Sequence, residues 1–229
     1  GQFIRVPADW VMPLPKGLSL RESMISGPAG YTAGLSVSLL QDKEIMPGDG
    51  SILVTGATGG VGSIAVALLS TLGYSVTASS GKETSKMFLK RLGASKIINR
   101  EQVIDKMGRT LLKELWSGAI DTVGGKTLET VLKSCKKRGV VVSSGLVSSP
   151  KLSITVFPFV LRGISLVGTG ASETSMSKRK EIWSKLAGEW KLKQLDYIAK
   201  DCSLEELDSQ IDKILKGKQQ GRVVVDMRN

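Results

Sequence analysis

Short apolar runs alternate with helical patterns along most of this chain, and this alternation constrains the fold more than any other feature. Residues 52–54 and 76–78 are two such runs, and each is followed by about ten residues of helical periodicity. Strands that alternate with helices of this length form crossover units and a parallel sheet. We therefore predict an α/β fold that is a doubly wound parallel sheet.

The same patterns predict the individual elements. Strands are predicted at residues 52–54, 76–78, 97–98, 119–123, 140–142, 157–160, 164–167, 197–198 and 223–225. Helices are predicted at residues 61–69, 85–92, 111–116, 126–135, 182–190 and 204–215. Residues 2–6 resemble the end of a further strand, and we expect the tryptophans to anchor the core.

The rare residue types exclude several kinds of site. Histidine is absent, and the two cysteines, Cys135 and Cys202, are too few for a disulfide framework or a four-thiolate zinc site. Zinc hydrolases and histidine-dependent triads are therefore excluded. No apolar run reaches the roughly 18 residues of a membrane span, and no basic and apolar leader opens the chain. We expect a soluble, cytoplasmic protein.

The chain is strongly basic, with 32 Lys and Arg residues against 21 Asp and Glu residues and a formal net charge of +11. This charge attracts anionic partners in general, so nucleic acid, anionic lipid, an acidic protein and a phosphorylated cofactor all fit. Aromatic residues form only 5% of the chain and are not interleaved with the basic runs. That pattern disfavours a nucleic-acid groove, which stacks bases on aromatic rings.

Residues 55–62, with the sequence TGATGGVG, lie between a predicted strand and a predicted helix. A dinucleotide needs small residues there for a tight turn, for close approach of the pyrophosphate, and for helix-to-strand packing. Ala57 takes the place of the first glycine of the usual fingerprint, and Gly59 and Gly62 take the second and third. The segment predicts a cofactor loop, although a purely structural turn is the alternative.

The second strand predicts which dinucleotide binds. An NAD site places a carboxylate about 20 residues beyond the loop, whereas the 2′-phosphate of NADP needs donors and positive charge. Here the strand ends in Ser80, Gly81 and Lys82, and the next carboxylate is Glu83. NADP(H) is therefore favoured, although Ser80 and Lys82 are also ordinary turn residues.

Several segments together resemble the medium-chain dehydrogenase/reductase superfamily, in its zinc-independent quinone oxidoreductase and acrylyl-CoA reductase group. They are residues 27–33 (GPAGYTA), 54–62 (VTGATGGVG), 80–82 (SGK), 92–94 (LGA), 119–124 (AIDTVG), 144–146 (SGL), 157–162 (FPFVLR) and 221–224 (GRVV). The resemblance covers nearly the whole chain.

The resemblance implies a Rossmann domain at residues 27–168, preceded by the tail of an N-terminal, barrel-like catalytic domain at residues 1–26. Residues 169–229 would return to that catalytic domain. Most of that domain is expected to be missing here, so no catalytic residue is assigned. We expect the chain to bind the cofactor but to reduce its substrate poorly without that domain.

The resemblance also assigns contacts to the cofactor. The pyrophosphate would meet Gly59, Gly60, Val61 and Arg222, and the 2′-phosphate would meet Ser80 and Lys82. The adenine would lie against Val123 and Gly124. The nicotinamide end would lie along Thr32, Ser144, Gly145, Leu146, Gly168 and Thr169.

The implied function is reduction by NADPH of an α,β-unsaturated acyl-CoA, such as acrylyl-CoA, or of a quinone. The implied partners are a small-molecule substrate and a second copy of the chain in a homodimer, without a metal. Two alternatives stay open: a cofactor-binding fragment without catalysis, and a basic nucleic-acid-binding protein.

Overall fold

The computed structural model describes residues 3–227 and contains a six-stranded parallel sheet with the order β3-β2-β1-β4-β5-β6. Its strands are β1 (Ser51–Val54), β2 (Ser75–Ser80), β3 (Lys96–Asn99), β4 (Trp116–Asp121), β5 (Cys135–Ser143) and β6 (Ser165–Gly168). This is the strand order of the Rossmann fold, in which the chain winds away from β1 in both directions. The predicted fold class is confirmed.

The helices cover both faces of the sheet. They are α1 (Leu20–Asp42), α2 (Gly60–Thr71), α3 (Lys86–Arg91), α4 (Gly125–Ser134), α5 (Phe157–Arg162), α6 (Met176–Ala187), α7 (Leu195–Ile198) and α8 (Leu207–Leu215). Short 3-10 turns occupy Ala8–Trp10, Glu83–Ser85 and Arg100–Val103. No helix in residues 3–227 is both long and apolar enough to cross a membrane.

Two apolar layers enclose the sheet because successive strand residues point to opposite faces. Ile52 and Val54 of β1 pack in the layer that contains the side chains of α1 and α2. Leu53, between them, packs in the other layer with Leu128 and Val131 of α4. Strands that are buried on both faces carry continuous apolar runs, which is why the sequence pattern identified them.

Helix α1 carries a sharp kink near its start. Ser19 caps the helix: its hydroxyl accepts from Glu22 N at 3.1 Å, and Ser19 N donates to the Glu22 carboxylate at 2.7 Å. The kink lies at Gly27, whose φ of 48° and ψ of −153° are non-helical. Pro28 follows and disfavours a helical residue before it, so the bend has a local cause.

A second, two-stranded parallel sheet pairs β7 (Ala199–Cys202) with β8 (Arg222–Val225). Helix α8 connects these two strands and contains no buried residue. The segment after α8 returns to the main sheet, because Gly221 N donates to Thr58 O at 2.9 Å. This contact places the start of β8 beside the glycine turn.

The helix predicted at residues 111–116 is wrong. Leu112 N and Leu115 N donate to carbonyls at the end of α4, and Arg162 Nη2 donates to Leu112 O at 2.7 Å. These tertiary bonds hold the segment outside a helix, and Trp116 begins β4. The strand predicted at residues 157–160 is also wrong. Pro158 lies in the first turn of α5, and Gly163, in the left-handed conformation, ends that helix.

Two further strand predictions are wrong, and the expectation for the tryptophans holds for all but Trp10. Tyr197 and Ile198 lie in the one-turn helix α7, and the strand starts at the next residue. Residues 3–6 form no strand because their exposed side chains pack on no sheet, and Gln2 lies outside the described residues. Trp116 and Trp190 are buried as expected. Trp10 is 74% exposed and belongs to the 3-10 turn Ala8–Trp10, none of whose residues is buried.

The packing of α2 yields a test. A Cβ on Gly62 would lie 2.3 Å from Gly56 O and 2.8 Å from Ala57 Cα, and both are backbone atoms. We expect Gly62→Ala to lower the free energy of unfolding by about 1–3 kcal/mol, as overpacking does. Urea denaturation measures this. Gly168→Ala is the control, because nothing lies within 4 Å of its added Cβ. Equal stability of the two variants would contradict the close packing.

Candidate functional site

A large cleft of about 700 Å³ opens at the carboxyl edge of the main sheet, beyond the ends of β1, β2 and β4. The strand order reverses direction between β1 and β4, and open α/β sheets bind ligands at such a point. Among the residues that line the large cleft are Thr55, Gly56, Gly59, Ser80, Lys82, Arg100 and Val123.

The glycine turn forms one wall of the large cleft. The left-handed φ of 57° occurs at Gly56. The tight turn therefore lies one residue before Ala57, which takes the place of the first glycine of the fingerprint. Gly59 N donates to Gly56 O at 2.9 Å, and Gly59 then caps α2 without a side-chain oxygen. The amides of the first turn, at Gly60 and Val61, therefore meet no capping side chain, and such a helix start favours anions.

The end of β2 forms the opposite wall. Lys82 N donates to Ser80 Oγ at 3.1 Å, which turns the chain back along the cleft. The Lys82 ammonium donates to the backbone carbonyl of Gln219, in the loop between α8 and β8. Burial lowers the pKa of Lys82. The structure thus brings Ser80 and Lys82 into one cleft with the glycine turn, and their contacts with the 2′-phosphate stay predictions.

A fully buried carboxylate, Asp121, lies beneath this edge at the end of β4. Asp121 Oδ1 accepts from the Thr55 hydroxyl at 2.6 Å, and Oδ2 accepts from Gly124 N at 2.8 Å. The Thr122 hydroxyl donates to Thr55 O at 3.0 Å. Burial raises the pKa of Asp121, although the hydrogen bonds that its carboxylate accepts from Thr55 and Gly124 oppose the shift. The group ties the loop after β1 to the turn before α4.

A small cleft of about 330 Å³ lies next to α4. The predicted residues that line it are Gly124, Ser144, Gly145, Leu146, Gly168 and Thr169. Its backbone is fixed to the strand ends, since Ser144 N donates to Asp121 O at 2.8 Å and Thr169 N donates to Ser143 O at 3.1 Å. A Cβ on Gly145 would lie 2.3 Å from Thr122 O, so this position requires glycine.

Thr32 and Arg222 line neither cleft. The Thr32 hydroxyl donates to Pro28 O at 2.7 Å within α1. Arg222 Nε donates to Ile25 O at 3.1 Å, and its Nη1 lies 3.0 Å from the position of a Cβ on Gly60. Arg222 therefore stands beside the start of α2, where a pyrophosphate contact was expected, and burial lowers its pKa. The roles of both residues stay predictions.

Two residues of the site were missed by sequence reasoning. Asp121 belongs to the AIDTVG segment, but its burial depends on the fold around it. Arg100 follows β3 and lines the large cleft. The sequence does show a basic residue just after the third predicted strand. That residue indicates a place in the cleft only once the pairing of β2 with β3 is known.

The residues do not fit a zinc site. Cys135 lies buried in β5 and Cys202 lies buried in β7, and both are free thiols. Burial raises the pKa of Cys135 to about 12, which keeps it protonated, whereas zinc binds the thiolate. Within residues 3–227, no three His, Cys, Asp or Glu side chains are grouped as metal ligands would be.

Comparison with known proteins gives consistent relatives. The model of the zinc-binding dehydrogenase family matches residues 60–187. YhfP from Bacillus subtilis, whose name assigns it provisionally to the quinone oxidoreductases, is 44% identical over 99% of this chain and 69% of its own length. An acrylyl-CoA reductase from Ruegeria pomeroyi is 41% identical over 99% of this chain and 68% of its own length.

Solved structures agree with these relatives. The yhdH oxidoreductase from Salmonella enterica, crystallised with NADP, has a TM-score of 0.94 and 43% identity over 97% of this chain and 68% of that one. YhfP crystallised with NAD has a TM-score of 0.93 and 45% identity over the same shares. This chain belongs to the zinc-binding dehydrogenase family, within the medium-chain dehydrogenase/reductase superfamily.

The buried Asp121 carboxyl gives a prediction about pH. Its raised pKa means that the folded protein binds this proton more tightly than the unfolded chain, so its contribution to stability is lost as pH rises through the folded pKa. Asp121→Asn is neutral at every pH. We expect the parent to gain free energy of unfolding relative to this variant as pH falls from about 7 towards 4.

Urea denaturation at several pH values measures this difference, and Asp105→Asn is the control of opposite sign. Burial acts to raise the pKa of Asp105, but a hydrogen bond from Met107 N and the Lys133 ammonium outweigh burial and lower it. The parent should therefore lose stability relative to Asp105→Asn as pH falls. The same sign for both variants would contradict the assignment of Asp121.

Proposed function

We propose that this chain is an NADPH-dependent oxidoreductase whose acceptor is an α,β-unsaturated acyl-CoA of the acrylyl-CoA kind, or a quinone. One observation carries the proposal: the glycine turn at the start of α2 faces Ser80 and Lys82 across a single cleft at the strand-order reversal. A dinucleotide needs this arrangement, because its pyrophosphate and its adenosine end must be bound at the same edge.

The residues of the large cleft fit the cofactor. Gly62 packs so closely on Gly56 that no side chain would fit, which brings the start of α2 up to the cleft. In the proposed complex, Gly59, Gly60 and Val61 bind the pyrophosphate and Ser80 and Lys82 bind the 2′-phosphate. Val123, which lines the large cleft, and Gly124, which lines the small cleft, flank the adenine. The nicotinamide end lies in the small cleft along Ser144, Gly145, Leu146, Gly168 and Thr169. When bound, the nicotinamide supplies the hydride.

The protein's own contribution is orientation and exclusion of water. A proton must also reach the substrate, and the chain has no histidine to deliver it. The three tyrosines line neither cleft: Tyr31 and Tyr74 are buried, and Tyr197 packs against Phe88. We propose that water or a group on the substrate side supplies this proton. No step uses zinc, since the residues present do not fit that metal.

The relatives support this choice but differ in cofactor. The Salmonella oxidoreductase was crystallised with NADP and YhfP with NAD. The absence of a carboxylate between Ser80 and Lys82 favours the phosphorylated cofactor here. The domain limits at residues 26–27 and 168–169 and the cytoplasmic location remain predictions.

The proposed function is tested by NADPH titration and by steady-state NADPH oxidation with acrylyl-CoA and with a quinone. We expect Gly59→Val to abolish NADPH binding, because its side chain would occupy the phosphate space. The variant should still fold, since the nearest atom to an added Cβ is Gly56 O at 3.3 Å. Equal affinity of this variant and the parent would contradict the loop assignment.

Turnover is compared between this chain and a version extended at its N-terminus to the length of its relatives. We expect slow turnover by this chain and faster turnover by the extended one, because a second wall would position the acceptor. The acceptor with the higher kcat/KM identifies the substrate class. NADPH binding without turnover in either chain would instead support a cofactor-binding role.

We also propose that the chain forms a homodimer through β6 and α5. Strand β6 is one of the two edge strands of the main sheet, and unpaired edges favour association. Beside it, Val160 is 74% exposed and Leu161 and Val156 are also exposed. These side chains give the edge an apolar surface that a second copy would cover.

The dimer is tested by sedimentation equilibrium at about 10 μM, where a stable interface of standard size is occupied. We expect a dimeric parent and a largely monomeric Val160→Asp variant, because burying an unpaired carboxylate is costly. Leu215→Asp, which adds the same charge on exposed α8, is the control. A monomeric parent would contradict the proposal.

A further inference from the structure

We propose that residues 216–220 form a strap over the adenosine end of the large cleft, and that the 2′-phosphate of NADP(H) fastens this strap through Lys82. The inference rests on the proposed NADPH-dependent function and adds a cofactor-sensitive closure to it. NADH has no 2′-phosphate, so it would occupy the same cleft and leave the strap loose.

The strap connects α8 to β8 and is anchored at both ends. At its start, Lys218 N and Gln219 N both donate to Lys213 O, at 2.8 Å and 3.2 Å, which closes the end of α8. Just beyond its far end, Gly221 N donates at 2.9 Å to a carbonyl of the glycine turn. The strap therefore crosses from exposed α8 to the glycine turn, and its residue Gly217 lines the large cleft.

One side chain holds the middle of the strap. The Lys82 ammonium donates to Gln219 O, and no other hydrogen bond within residues 3–227 joins the strap to the walls of the cleft. Residues 216–218 are exposed and α8 contains no buried residue, so few apolar contacts restrain this segment. Segments with few buried contacts open at a low cost in free energy. The position of the strap against the cleft therefore depends on Lys82.

The Lys82 ammonium can hold the strap and a phosphate at the same time. An ammonium has three N–H donors, and the contact with Gln219 O uses one of them. Lys82 also lines the large cleft, and burial lowers its pKa because the ammonium has lost part of its hydration. An anion is a favourable partner for such a group. A phosphate bound there would fix the ammonium, and with it the carbonyl that the ammonium contacts.

The two cofactors isolate this effect because they differ only in the 2′-phosphate. A ligand shifts a conformational equilibrium only by the difference in its affinity for the two states. In the proposed complex the pyrophosphate and adenine contacts are the same for both cofactors. A difference in the strap between the two bound forms would therefore come from Lys82, and a fastened strap would slow the dissociation of NADPH more than that of NADH.

The test measures hydrogen exchange of the strap amides by mass spectrometry, in the free chain and with saturating NADPH, NADH or adenosine 2′,5′-bisphosphate. We expect exchange at residues 217–220 to be about tenfold slower with NADPH than with NADH, as for one hydrogen bond to a charged group. The bisphosphate should match NADPH, because it carries the 2′-phosphate without the nicotinamide. In Lys82→Ala, saturating NADPH and NADH should give equal exchange.

A matched pair of variants tests the strap itself. Gln219→Pro removes the N–H that donates to Lys213 O, whereas Gln219→Ala keeps that N–H and the carbonyl. We expect Gln219→Pro to raise the dissociation rate of NADPH about fivefold or more and to leave that of NADH nearly unchanged, while Gln219→Ala matches the parent. Stopped-flow displacement measures these rates, and unfolding midpoints show that each variant is folded.

The outcomes separate the strap from the function on which it rests. A parent that binds NADPH no more tightly than NADH would overturn the proposed cofactor. A parent that prefers NADPH, but whose strap exchanges equally fast with both cofactors or faster with NADPH, would overturn only the strap. Equal rates of NADPH dissociation from Gln219→Pro and from the parent would also overturn it.

Discussion

The position of helix α2 depends on the contact between Gly62 and the backbone of Gly56 and Ala57, which leaves no room for a single carbon atom. The helix packs directly on the turn, and its cap residue, Gly59, lines the large cleft. The same turn carries Thr58, whose carbonyl accepts from Gly221 N and so fixes the segment that leads to β8. The floor of the site and the return of the C-terminal segment thus depend on one short contact.

Asp121 links the two clefts, since it joins loops that follow three different strands. Its carboxylate accepts from Thr55 after β1 and from Gly124 before α4, and its carbonyl accepts from Ser144 N after β5. A buried carboxylate is costly unless hydrogen bonds satisfy it, and here they do so from both sides. A shift of one loop would therefore disturb the others, which makes the carboxyl edge of the sheet a single unit.

Much of the sheet and of the glycine turn was predictable, because both depend on local patterns: apolar runs, helical periodicity and glycines at a strand end. The errors have tertiary causes. Residues 111–116 follow a helical pattern, yet α4 and Arg162 hold their backbone outside a helix. Arg100 reaches the cleft only through the pairing of β2 with β3, and the burial of Asp121 requires the whole edge. No local pattern contains either fact.

The burial of both cysteines has a practical consequence. The Cys135 thiol, with its pKa raised to about 12, holds almost no thiolate at neutral pH, and Cys202 is also buried. A fluorophore or spin label with a thiol-reactive group would therefore leave the folded chain untouched. A cysteine introduced at exposed Lys218, in the loop that Lys82 contacts, would be the one reactive site, and its signal would report the movement of that loop alone.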